Sequence, residues 1–280
     1  MPTSTATRMF PSVPSSTLTP PNAGTSVPYA MSTDTLKTLE PPAEILAAAR
    51  AWLGPVRGAL GDEFLAAYLT GSVLSSAFDP KHSHVNVLVV SRALDMQRLD
   101  ALSRQMPRPK HPAFDPLFVT AHQIRHSLDV FPIEWLDLQE RHLRLEGEDV
   151  FANLEVPMPA LRLQCERELR GKHIRLREAY VLGDGHADHL TAVLRSSASG
   201  MATLFRTLLR LRGETPPADT PRVIERLADL YKLDAQALLG PHLLRYSNRK
   251  PKFEVVQGLY RRFLSELDRL IAAVDEMRVA

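Results

Sequence analysis

The sequence predicts an α+β protein, with a mixed sheet covered by helices followed by an all-helical bundle. Three observations carry this. Between residues 64 and 138, short β-branched or alternating apolar runs are separated by helical patterns, as strands and helices in turn require. Beyond Pro157 and Pro159 the strand patterns stop, and apolar residues recur at spacings of three and four. With 44% apolar and 24% charged residues, the 280-residue chain has a globular composition and enough length for two cores.

Taken in order, residues 1–30 are rich in Pro, Ser, Thr and Ala, carry only Arg8 as a charge, and show no apolar periodicity. Such a segment cannot repay the entropy of folding, so residues 1–42 are expected to be a disordered tail. Prolines 11, 14, 20, 21 and 28 interrupt any stretch that could serve as a secretory signal, and Met31 opens a more protein-like segment that could be the true start. Residues 44–60 read as a helix with a kink or break at Gly54-Pro55. A short strand at 64–69, a short helix at 72–77, a β-branched strand at 85–90 and a helix at 94–106 follow. The runs 117–120 and 130–138 read as strands, with a short helix at 121–127 between them. Long helical patterns then occupy 160–182, 187–212, 220–232, 234–245 and 252–278. A sheet domain at 43–156 and a helical bundle at 157–280 are the expected units.

Composition excludes several classes. No apolar run approaches the roughly 18 residues that a membrane span needs. The single cysteine, Cys165, rules out an intramolecular disulfide and a cysteine-rich zinc site, and the cytoplasm is the expected location. The formal charge of +2 conceals a division: residues 1–156 carry 13 basic and 17 acidic side chains, and residues 157–280 carry 21 and 15. A basic bundle attracts phosphate-rich partners, but this excess over five helices describes a solvated helical exterior better than a nucleic-acid face.

The informative stretch is Leu69-Thr70-Gly71-Ser72-Val73-Leu74-Ser75-Ser76, followed by Ser83-His84-Val85-Asn86-Val87-Leu88-Val89-Val90. A strand ends at Gly71-Ser72, a short helix begins there, and a second strand opens with polar residues spaced i, i+2. This order resembles the nucleotidyltransferase superfamily of the DNA polymerase beta and kanamycin nucleotidyltransferase type. There a Gly-Ser pair and a small helix precede Ser-Asp-x-Asp entering an apolar strand. The stretch from Phe131 to Glu134 and the run from Leu161 to Lys172 are further similar to an uncharacterised bacterial group within that superfamily. The resemblance covers residues 43–280 by architecture and about 20 residues by motif.

That resemblance implies that Gly71 and Ser72 hold nucleotide phosphates, since glycine admits close backbone approach and helix-start amides attract anions. It also implies that two carboxylates, on one strand face because the strand period is two, hold magnesium. His84 and Asn86 occupy those positions here. A neutral imidazole and a neutral amide remove two negative charges on which two-metal phosphoryl transfer depends. The Arg-Gly frequent after the small helix is replaced by Ser75 and Ser76. A third carboxylate would come from a later strand, and Glu134, in the run from Asp129 to Asp137, is the candidate catalytic residue. A transition-metal site of His84 and Asn86 with Glu134 or Asp79 is the sharper alternative to a relic polar pocket. Lys81 and His82 precede the second strand and could reach a phosphate, although a solvated turn accounts for them equally well.

The helix after Pro159 carries two apolar stripes, Leu161, Cys165, Leu169, Leu176 and Tyr180 on one side and Leu163, Ile174 and Val181 on the other. Arg162, Glu166, Arg170, His173 and Arg177 run between them. This ridge either lines an interdomain cleft, with Arg162, Arg170 and Arg177 meeting phosphates, or forms an internal ion-pair network at i, i+4 spacing. Arg167 and His173 match the spacing of the HEPN ribonucleases that often accompany minimal nucleotidyltransferases, a spacing common by chance in so Arg-rich a chain. Cys165 lies on an apolar stripe and reads as core.

Three functions follow. The first is a catalytically degenerate nucleotidyltransferase that keeps a nucleotide- or partner-binding cleft and requires no cofactor. The second is an active enzyme that moves a nucleoside monophosphate from a nucleoside triphosphate to a small-molecule or protein hydroxyl, with Mg(2+). The third is a regulatory module comparable to an antitoxin, whose partner is another protein or a second copy.

Overall fold

The structure is a computed structural model that describes residues 40–74, 78, 83–183, 185–247 and 250–279. The tail at 1–39 with Met31, the short helix beyond Leu74, and Asp79, Lys81 and His82 lie outside the described residues. The α+β class holds: a mixed four-stranded sheet with helices is followed by an all-helical region.

Helix α1 (Ala43–Leu60) buries Ile45, Ala49, Trp52, Leu53, Val56 and Leu60, a stripe at helical spacing. It runs unbroken through Pro55, contrary to the expected break at Gly54-Pro55. Gly54 and Pro55 both face solvent, where water can satisfy the carbonyl that proline's missing N–H leaves unpaired.

Strands β1 (Phe64–Thr70), β2 (Val85–Ser91), β3 (Phe114–Thr120) and β4 (His142–Gly147) form one sheet in the order β3-β2-β1-β4. β1 is antiparallel to β2 and β4, whereas β2 and β3 are parallel. The parallel step is bridged by α2 (Met96–Gln105), which Asp95 caps by accepting from the Arg98 N–H. One sheet face packs Leu69, Val85, Val87 and Val89 against α1 and Leu102. The other packs Tyr68, Leu88, Val90 and Val119 against Ile124 of α3 (Ala121–Arg125), Trp135 and Phe151.

The run expected as a strand at 130–138 is instead α4 (Pro132–Glu140), with Pro132 in its first turn, where its missing N–H is harmless. Its alternating look has a physical origin. Ile133 and Leu136 enter the core of the helical region, while Trp135 enters the sheet core, so one helix buries two faces. β4 had no counterpart in the sequence reading.

Helices α5 (Met158–Leu182), α6 (Ala187–Leu211), α7 (Thr220–Tyr231), α8 (Ala235–Tyr246) and α9 (Phe253–Asp275) form the bundle, close to the expected boundaries. Asp219 and Asp234 cap α7 and α8 by accepting backbone N–H bonds. Cys165 is fully buried in this core, and burial pushes its thiol well above the ordinary range. The first α5 stripe is core at Leu161, Cys165, Leu169 and Leu176. The second is not: Leu163, Ile174 and Val181 are 59%, 56% and 77% exposed. No described helix is long and apolar enough to cross a membrane.

Candidate functional site

Gly71 ends β1 with φ +76°, a conformation that L side chains rarely adopt. A Cβ there would also meet the Asn86 amide nitrogen at 2.7 Å, so the two residues are in close apposition. From Gly71 the chain enters a 3-10 turn, Gly71–Leu74, anchored because Val73 and Leu74 are buried beneath it. Ser72 is half-buried beside them.

Strand register extends this corner into a row. Thr70 pairs with Asn86, Asn86 with Asp115, and Thr70 with His142, so all four strands contribute one polar side chain at one level. In-register side chains share a face, and this one continues into Tyr68, Leu88, Val90 and Val119. Thr70 is buried, Asn86 and His142 are half-buried, and Asp115 is exposed. His84 is exposed just before β2, whose first N–H donates to Ala113 O at 2.8 Å.

His142 is held on several sides. Its Nδ1 lies 2.8 Å from Leu138 O, and because a carbonyl only accepts, Nδ1 carries the proton and Nε2 is left as the acceptor of the neutral ring. The ring meets Tyr68 edge-on at 5.1 Å and Phe151 at 4.7 Å. Tyr68 is fixed in turn: its hydroxyl donates to Glu148 O at 2.6 Å and accepts from the Val150 N–H at 2.9 Å. Burial raises the Tyr68 pKa, which keeps the phenol a neutral donor.

The donor set does not suit magnesium. His84 and Asn86 carry no anionic oxygen, Asp115 is the one carboxylate of the row, and a hard dication needs several anionic oxygens. Among the described residues no group of three His, Cys, Asp or Glu side chains is placed to hold a metal ion.

Glu134 lies on α4 rather than on a strand, and its carboxylate accepts from Gln164 Nε2 at 2.8 Å. Gln164 Oε1 accepts the Ile133 N–H at 2.9 Å, so the pair ties α4 to α5, and burial raises the Glu134 carboxyl. The neighbouring Asp137 faces Arg141 at 3.8 Å. Arg162 donates to Glu166 and to Val274 O, both at 3.0 Å, and Arg170 reaches Glu166 at 2.7 Å and Asp275 at 3.1 Å. These arginines fasten α5 to the end of α9, while Arg177 is exposed. His173 is buried against Asp268 at 3.2 Å; Arg167, six residues earlier and exposed, lies on another side of the helix.

Asp115 and His142 escaped the sequence reading, and Thr70 entered it only as part of the strand leading to Gly71. The acid that opens the apolar run Phe114-Asp115-Pro116-Leu117-Phe118-Val119 was the available signal for Asp115, and the alternation His142-Leu143-Arg144-Leu145 for His142.

No family model matches the chain, and no curated protein matches it. Among solved structures, the chain is similar to the spectinomycin adenyltransferase AAD(9) from Enterococcus faecialis, determined with ATP and spectinomycin. The two are 14% identical, the match covers 80% of this chain and 98% of that one, and the TM-score is 0.48.

Proposed function

We propose that the chain is a nucleotidyltransferase-like protein that binds a nucleotide at the Gly71–Ser72 corner and has lost metal-dependent transfer. The polar row beside Gly71 carries this reading. It sits at the end of β1 and the start of β2, where the resemblance calls for two acids, and it offers an amide, a hydroxyl, an imidazole and one carboxylate. Such a set can hydrogen-bond a nucleotide, but it does not supply the charge needed to hold two metal ions against a triphosphate. The positive φ of Gly71, with the Asn86 amide standing where a Cβ would be, supports a polar phosphate-binding corner there. Arg162 and Arg170 are already committed to Glu166, Asp275 and Val274, so of the ridge only Arg177 remains to meet a phosphate.

The test is calorimetric titration with ATP and the other nucleoside triphosphates, with and without Mg(2+) or Mn(2+), beside a pyrophosphate-release assay. The expected result is binding nearly independent of the metal, lost in Gly71→Trp, and no pyrophosphate above background. Pyrophosphate release that disappears in Gly71→Trp would establish the active reading, in which Asp115 is the acid that the described residues place at the corner. Absence of any nucleotide binding would leave the antitoxin-like module, with a protein partner or second copy.

A further inference from the structure

We infer that His122 and His126 form a chelating site for a borderline divalent transition metal ion of the Cu(II), Ni(II) or Zn(II) class, with solvent completing the coordination. His122 lies in α3 and His126 is the residue that caps its C-terminus, one turn on, with the His126 N–H donating to His122 O at 3.0 Å. Their rings are stacked at 4.0 Å between centroids with 24° between planes. Both are exposed, while Ala121 and Ile124 of the same helix are buried, so the pair occupies the outer face of α3. Two imidazoles at i, i+4 are an arrangement that holds zinc-class ions on helices.

An isolated five-residue helix would fray, but this one is fixed at both ends. At its start, Thr120 Oγ1 accepts the Gln123 N–H at 3.0 Å and Gln123 Oε1 accepts the Thr120 N–H at 2.8 Å. At its end, the Ser127 hydroxyl donates to Gln123 O at 2.6 Å and accepts from Trp135 Nε1 at 2.9 Å. The backbone that carries the two imidazoles is therefore fixed before any ion arrives, which lowers the ordering cost of binding. Metal–nitrogen bonds of about 2.0–2.1 Å place two adjacent ligand nitrogens roughly 3 Å apart. The 4.0 Å between ring centroids is within about an ångström of that spacing, and rotation about the side-chain bonds turns one nitrogen of each ring toward a shared ion.

The donor chemistry selects the ion. Neutral imidazole nitrogen binds copper, nickel and zinc and does not compete with water for magnesium. With two protein ligands and Arg125 adjacent to His126, the site is an exchangeable one rather than a structural zinc centre. It stands at the opposite end of β3 from Asp115, about 16 Å along the strand, so it does not depend on the nucleotide reading.

Tag-free full-length protein is titrated calorimetrically with Ni(II), and separately with Mg(II). The expected result is one saturable equivalent of Ni(II) and no Mg(II) binding at this pair. His122→Ala and His126→Ala should each weaken Ni(II) by at least about tenfold, whereas His111→Ala leaves it unchanged. Both histidines are exposed, so the variants fold. Ni(II) in excess should also raise the thermal midpoint of the wild-type chain by several degrees and leave the double variant unmoved. Unchanged Ni(II) affinity in the double variant, or no saturable binding by the wild-type chain up to millimolar metal, would overturn the inference.

Discussion

Asn86 on β2 and Asp115 on β3 are direct register partners in a parallel strand pair, so an amide and a carboxylate stand side by side on one sheet face. Asn86 also packs against Gly71 at the end of β1. Three elements thus meet at one corner, where Asp115 is the anionic side chain among the described residues.

If the corner lacks only charge, charge should restore metal binding. The His84→Asp, Asn86→Asp double variant would set two new carboxylates beside Asp115. We expect it to bind Mn(II) saturably where the wild-type chain does not, and to bind ATP at least about tenfold more tightly with Mn(II) than without. Electron paramagnetic resonance of free Mn(II) reads the first effect and calorimetry the second. Adding Asp115→Asn should abolish both; persistence of Mn(II) binding in that triple variant would show that Asp115 is not part of the site.

Gly71→Ala tests the backbone. The φ of +76° is unfavourable for alanine whatever the neighbouring space, and the added methyl displaces the Asn86 amide. The expected loss is about 1–3 kcal/mol of stability in urea unfolding, most of it from backbone strain. Because the clashing atom is the end of a flexible side chain, adding Asn86→Ala should recover only a minor part. Full recovery in the double variant would assign the cost to the clash instead.

The sequence made most of this architecture legible, and the losses have specific causes. Long bundle helices were readable because one face of each is continuously buried, as Leu161, Cys165, Leu169 and Leu176 show. α4 was misread because Ile133 and Trp135 serve different cores, which imitates a strand's alternation. β4 has no β-branched residue and interleaves its two leucines with charged side chains, so its alternation did not register as a strand, and with it went His142. Asp115 was hidden because its meaning comes from register with Asn86, a relation between strands that no linear spacing encodes. The second α5 stripe is apolar yet exposed at Ile174 and Val181, so periodicity overstated its burial.

Glu134 should give stability a pH dependence of unusual sign. Burial raises its carboxyl above the ordinary value of 4.5, and the Gln164 hydrogen bond works against that rise. As pH rises, the unfolded carboxyl loses its proton first, and between 4.5 and the raised native value the folded state holds more protons. Its contribution is therefore complete below the unfolded pKa and is lost as pH climbs through the folded one. Glu134→Gln keeps a carbonyl acceptor for Gln164 and does not titrate. The variant should gain urea stability relative to wild type at pH 7.5 compared with pH 4, and an equal difference at both would contradict the shift.

The contact between Glu140 of α4 and Arg210 of α6 should behave as a buried ion pair. The Arg210 side chain is 1% exposed and that of Glu140 is 13% exposed, and among the described residues Arg210 Nε and Nη1 have no hydrogen-bond partner. Burial raises the Glu140 carboxyl, and the Arg210 charge and hydrogen bond oppose that rise. Removing one partner strands the other charge without solvent, so Glu140→Leu alone should cost about 3–5 kcal/mol. Replacing both, with Glu140→Leu and Arg210→Met, removes the desolvation cost along with the attraction and should return stability to near the wild-type value or above it. Urea unfolding of the four proteins gives the coupling directly. If the double variant instead lost the sum of the two single losses, the two residues would be acting independently.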